Sequence, residues 1–99
     1  MDIEINQVYT FKLNSGEEVI SKVKSVDGQF ITLEEPVSVA PSPQGMGLIP
    51  SLFTAKTDNF IKLNTNSITM YGTTEDNVRN KYVEATTGIS VPSKKIVLG

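Results

Sequence analysis

The chain has 99 residues, enough for one domain with one small core. Its 38% apolar content is too high for a disordered chain, and the absence of Cys and His excludes disulfide staples, Cys/His zinc sites, thiol nucleophiles and His-based triads. Nine Lys and Arg stand against eleven Asp and Glu, net −2, a balance unlike that of domains that wrap duplex DNA.

Residues 1–7 read as a lead-in. Residues 8–13 alternate, with Tyr9, Phe11 and Leu13 on one face and Thr10 and Lys12 on the other, the period of a half-buried strand. Asn14-Ser15-Gly16 is a turn. Residues 18–26 form a second strand, with Val19 and Val23 on one face and Ile20, Lys22, Lys24 and Val26 on the other. Asp27-Gly28 is a hairpin signal. A third strand runs from Gln29 to Leu33 and continues past Pro36 into Val37-Ser38-Val39. Pro36 has no N–H and marks an edge, a bulge or a break.

Residues 40–47 have the composition of a loop. Leu48 to Ala55 is an apolar run interrupted by Pro50, followed by a polar break at 56–59. The run reads equally well as a strand, with Pro50 on an edge, or as an exposed apolar loop that meets a partner. Strands are expected at 60–63 and 67–71, joined through Asn64-Thr65-Asn66 and ended by Gly72. A helix follows over 73–88. Thr73 or Thr74 caps it, Glu75 and Asp76 favour its positive end, Val78, Tyr82 and Ala85 share a stripe, and Gly88 ends it. Residues 89–99 form a tail in which Lys94-Lys95 is too short for a polybasic signal. The whole reads as one domain over 1–99, without a membrane-length apolar run. The acidic start is unlike a signal peptide, and the Cys-free composition fits the cytoplasm.

Residues 9–33 carry a more specific pattern: Tyr9-x-Phe11-x-Leu13-x-x-Gly16-x-x-Val19-x-x-x-Val23-x-x-x-Asp27-x-x-x-x-x-Leu33. It resembles the first signature motif of the Sm and Sm-like family, which includes the Hfq proteins. Leu63-Asn64-Thr65-Asn66-Ser67-Ile68 falls where the family's short second motif would lie. The resemblance covers about residues 8–71, with an unmatched excursion at 40–58, and is nearest in kind to the compact Sm-like proteins of tailed phages, including cyanophages. Four departures stand out. Ser21 replaces the glycine at which the second strand bends, and the 27–30 hairpin is one residue short. Asn64-Thr65 replaces Arg-Gly, and seven lead-in residues leave no room for the family's N-terminal helix.

The resemblance implies a mainly β fold, a small, strongly bent, five-stranded antiparallel Sm-like barrel, here with one C-terminal helix. It implies a homo-oligomeric ring of five to seven copies that binds single-stranded RNA at its inner rim. The matching positions are Asp27, Gln29, Phe30, Asn64, Thr65 and Asn66, with Lys62 adjacent. Several of these also have a structural reading, Phe30 as an aromatic that packs inward and Asp27 and Asn64 to Asn66 as turn formers; Lys22 and Lys24 read as solvated positions that keep an edge soluble.

The alternative is a non-enzymatic ring scaffold that docks a protein through Met46, Leu48, Ile49, Leu52 and Phe53. No catalytic group, cofactor or metal site is expected. Glu34 and Glu35 are neighbours in a strand and point to opposite faces, and Glu75 and Asp76 have a role at the helix start. Neither a membrane nor duplex DNA is an expected partner.

Overall fold

In the computed structural model of the protein, the described residues are 2–56 and 60–87. Six strands appear in chain order: β1 Val8–Leu13, β2 Glu18–Val26, β3 Phe30–Ser42, β4 Gly45–Pro50, β5 Phe60–Asn64 and β6 Ile68–Thr73. A 3-10 turn, Thr65–Ser67, joins β5 to β6, and the helix α1 spans Asp76–Thr87. All pairings are antiparallel. The order is β4-β3-β2-β1-β6, and β5 pairs with β3 beside the N-terminal half of that strand. The sheet is therefore six-stranded and is not closed into a barrel, where five strands and a barrel were expected.

The sixth strand comes from residues 40–50. Pro41, Pro43, Gly45 and Gly47 suggest a loop, yet Ala40, Pro41 and Ser42 continue β3 and pair with Gly47, Met46 and Gly45. Beyond Ser38, β3 has no partner in β2, so Pro41 sits in a two-stranded arm where a missing N–H is tolerated. The apolar run 48–55 is strand only as far as Pro50, and β4 is an edge strand, as that proline requires.

The sheet curls around one core and exposes a second to the helix. On the inner face Tyr9, Phe11, Val19, Val23, Ile31 and Leu33 pack together, flanked by Leu13, Val26, Leu63 and Ile68. On the outer face Val8, Ile20, Val37 and Leu48 pack beneath Tyr82 of α1, with Val39, Val78 and Val83. Val26 thus lies with Val19 and Val23, not with the lysines. The register of β2 against β3 shifts between Val23 and Ser25, and this extra residue restores the alternation beyond it. Lys22 and Lys24 do not guard an edge either, because β2 lies between β1 and β3.

A second shift, between Ile20 and Lys22, sets two residues of β3, Glu35 and Pro36, against Ser21 alone. Glu35 absorbs the bulge with a φ of 55°. Ser21 is fully buried there, and its hydroxyl donates to the Glu34 carbonyl at 2.9 Å. Tyr82 reaches the same place from α1. Its hydroxyl accepts from the Lys22 N–H at 3.1 Å and donates to the Glu34 carbonyl. Burial pushes the Tyr82 phenol above its ordinary value, against the opposing hydrogen bonds from Lys22 and Ser21, with the Glu34 and Glu35 charges adding to the rise.

The helix begins three residues later than expected. Thr74 is buried, and its hydroxyl bonds the Thr10 hydroxyl at 2.9 Å, so it ties the helix entry to β1. The covering stripe follows the i, i+4 row from Val78 to Tyr82, with Val83 beside it, and Ala85 is exposed. The expected stop at Gly88 and the tail lie outside the described residues. No helix among the described residues is long and apolar enough to cross a membrane.

Candidate functional site

The structure brings Asp27, Gln29, Phe30, Asn64, Thr65 and Asn66 to one corner of the sheet. The β2–β3 turn and the 3-10 turn touch. The Thr65 N–H donates to the Gln29 carbonyl at 2.9 Å, and its hydroxyl lies 2.9 Å from the Gly28 carbonyl and 3.2 Å from that of Gln29. The β1–β2 turn joins from the other side: the Asn14 amide donates to the Asn66 carbonyl at 2.8 Å and accepts from the Thr69 hydroxyl at 2.5 Å. One short turn thus ties both hairpin tips together, without a ladder between β5 and β6.

Most of these side chains are engaged in folding. The Asp27 carboxylate accepts from the Phe30 N–H at 3.0 Å and closes the hairpin, while Gly28 supplies the left-handed residue with a φ of 89°. The Asn64 side chain caps the 3-10 turn by accepting from the Asn66 N–H at 2.9 Å. The Thr65 hydroxyl is held by the hairpin carbonyls. The side chains of Gln29 and Asn66 are exposed and make no hydrogen bond among the described residues.

The ladders decide what Phe30 and Lys62 face. Phe30 pairs with Asn64, Thr32 with Lys62 and Glu34 with Phe60. Their alternates, Ile31, Leu33 and Leu63, line the inner core, so alternation puts these three pairs on the outer face. Phe30 is half-buried and belongs to neither core cluster, so the inward reading of it does not hold. Across β3, Ser25 stands beside Thr32 and Lys22 beside Glu34. The Lys24 ammonium lies 3.7 Å from the Glu34 carboxylate and 2.7 Å from the Asn6 side-chain oxygen. The Lys62 ammonium lies 3.5 Å from the Thr32 hydroxyl.

Three lysines therefore share a sheet face with Phe30 and Phe60, and Phe60 is 56% exposed. Reading the sequence strand by strand misses this grouping. Lys22, Lys24 and Phe60 come from β2 and β5, which share no ladder and are joined through β3. Lys12 stands apart, between Glu18 and Met70.

The apolar residues expected to dock a protein do not act as one surface. Leu48 is buried in the outer core and Ile49 is half-buried within β4. Met46, Leu52 and Phe53 are exposed, and Phe53 is 77% so. The segment is thus part strand and part exposed connection, where a single loop was one of the two expectations. Among the described residues, no group of three or more acidic side chains is placed to hold a metal ion. No family model matches the chain, and no curated protein does.

Proposed function

We propose that the protein is a self-assembling Sm-like module whose copies join edge to edge into a closed ring and bind single-stranded RNA. The observation that carries this reading is the state of β5 and β6. Each has a ladder on one side only, β5 to β3 and β6 to β1. The β6 edge exposes Met70, 62% exposed. An unpaired, apolar edge invites a further strand. A contact between two different edges is head-to-tail, and it closes into a ring when its rotation allows.

The RNA part is supported by the resemblance and by the corner described above, where the Gln29 and Asn66 side chains are open to a base edge. The exposed Met46, Leu52 and Phe53 favour a second reading, a ring scaffold that docks a protein partner.

Light scattering coupled to size exclusion tests the assembly. A discrete mass of several protomers is expected for the wild type and a monomer for Met70→Lys, which sets a charge on the β6 edge at an exposed position. A wild-type monomer would overturn the ring. A fluorescent oligo-U that travels with the ring, more weakly as salt rises, supports RNA binding; a ring that carries none at low salt leaves the scaffold reading.

A further inference from the structure

The outer face of the sheet is divided. α1 covers the half that carries Val8, Ile20, Val37 and Leu48, and its last buried contact is Tyr82 at Lys22 and Glu34. Beyond that point α1 does not cover the face of β2, β3 and β5: Thr32 at its centre is buried beneath the side chains around it, and Phe60 and Lys62 stand exposed. Charge is concentrated there. Lys22, Lys24 and Lys62 gather on one small surface of a chain whose net charge is −2, and alternation places Glu34 beside them. The Lys24–Glu34 pair is more than a quarter exposed on both sides, and such a pair holds its lysine only weakly.

Two rings are interleaved with these cations. Phe30 stands opposite Asn64, which lies four residues from Phe60 on β5. The two rings therefore lie about 13 Å apart along the strands at ~3.3 Å per residue, with Lys62 midway between them. A surface of alternating rings and ammonium groups matches a chain of alternating bases and phosphates. A bilayer would call for an apolar tip, and a folded protein for a continuous apolar patch.

We propose that the face of β2, β3 and β5 beyond α1 binds single-stranded nucleic acid, with Phe30 and Phe60 stacking on bases and Lys22, Lys24 and Lys62 meeting phosphates. This rests on the reading that the protein binds RNA, and it moves the main contact from the turns to the sheet. The turn side chains of Asp27, Asn64 and Thr65 remain engaged in their own backbone bonds.

Fluorescence anisotropy with labelled oligo-U and oligo-dT over a salt series tests it, with the mass of each variant measured without oligonucleotide so that lost assembly is recognised. The triple variant Lys22→Ala, Lys24→Ala, Lys62→Ala is expected to lower the slope of log affinity against log salt by about 2, at roughly 0.7 per phosphate contact on a single strand. Phe60→Ala is expected to weaken binding roughly 5- to 150-fold and to leave the slope unchanged. The far-ultraviolet circular dichroism spectrum is expected to stay the same in both. Equal binding of oligo-U and oligo-dT fits contact to bases and phosphates; a strict preference for oligo-U would show that the 2′-hydroxyl or the bare C5 edge of uracil is read and would overturn the stacking-and-phosphate account.

If Gln29→Ala with Asn66→Ala abolishes binding while both sheet variants bind normally, this inference falls and RNA binding at the turns stands. If the wild type binds neither oligonucleotide at low salt, both fall. Binding to vesicles containing phosphatidylserine without binding to oligonucleotide would identify a membrane surface and overturn the inference.

Discussion

Replacing Tyr82 with Phe removes one oxygen from the contact between α1 and the sheet and leaves the ring in place. That oxygen accepts from the Lys22 N–H and donates to the Glu34 carbonyl, two groups that face each other across the β2–β3 ladder. The carbonyl keeps the Ser21 hydroxyl at 2.9 Å, so the loss falls on the Lys22 N–H. A buried donor deprived of its acceptor costs about 1–3 kcal/mol. For a domain of this size a loss of about 2 kcal/mol lowers Tm by roughly 8–16 °C. Urea denaturation is expected to show a lower midpoint with an unchanged slope, since the exposed area does not change. The pH dependence gives an independent reading. The folded-state pKa of Tyr82 is raised, so its contribution is fully present below the unfolded value near 10. Above that value the unfolded chain releases the proton and the folded chain keeps it, and stability falls as pH rises toward the folded value. The margin of wild type over Tyr82→Phe should therefore shrink above pH ~10, by at most about 1.4 kcal/mol per pH unit. Equal stability of the two proteins at neutral pH, or a margin that grows with alkalinity, would refute the role assigned to the hydroxyl.

Gly28→Ala tests the hairpin alone. A Cβ there meets nothing within 4 Å, so the cost is the left-handed backbone itself, on the order of 1 kcal/mol, read as a lower urea midpoint. A chain ending at Thr74 tests the division between the two cores. It loses the cover over Val8, Ile20, Val37 and Leu48 but keeps the inner core, so a lower Tm, new binding of a hydrophobic dye and a retained β-type circular dichroism spectrum are expected. Complete unfolding would show that the inner core cannot stand alone.

The strands that alternate cleanly were legible. Val8–Leu13 and Glu18–Val26 have the bounds expected from period and turn residues, because both depend on local chemistry. The β3–β4 arm was harder to read. Its prolines and glycines signal a loop wherever both strand edges are assumed to be paired, and only tertiary context shows that they are free. Val26 was misplaced for a related reason: a bulge leaves no mark in a sequence of β-branched residues and lysines. At the candidate site, the turn roles of Asp27 and Asn64 were legible from residue type. The grouping of Lys22, Lys24 and Lys62 was not, since it depends on strand order, which no single strand encodes.

The two bulges differ in what they do, although each adds one residue. An extra residue in a strand is either absorbed locally or turns every later side chain to the other face. Both are absorbed here. Between Val23 and Ser25 the extra residue is Lys24, and removing it leaves Val23, Ser25 and Val26 in regular alternation, with both valines still inward. Deletion of Lys24 is therefore expected to give a folded protein that has lost one cation from the outer face. Between Glu34 and Val37 the extra residue is Glu35, and its deletion also preserves the alternation, with Val37 still outward beside Ile20. Its bulge lies where the Tyr82 hydroxyl enters, between Lys22 and Glu34. Closing it brings the ladder groups together and displaces the hydroxyl. Deletion of Glu35 should then remove what Tyr82→Phe removes, and the two changes together should cost less than their sum, with a coupling of at least about 0.5 kcal/mol in a double-mutant cycle of urea midpoints. Strict additivity would show that the hydroxyl does not depend on the bulge, and that the bend in β3 serves the curl of the sheet alone.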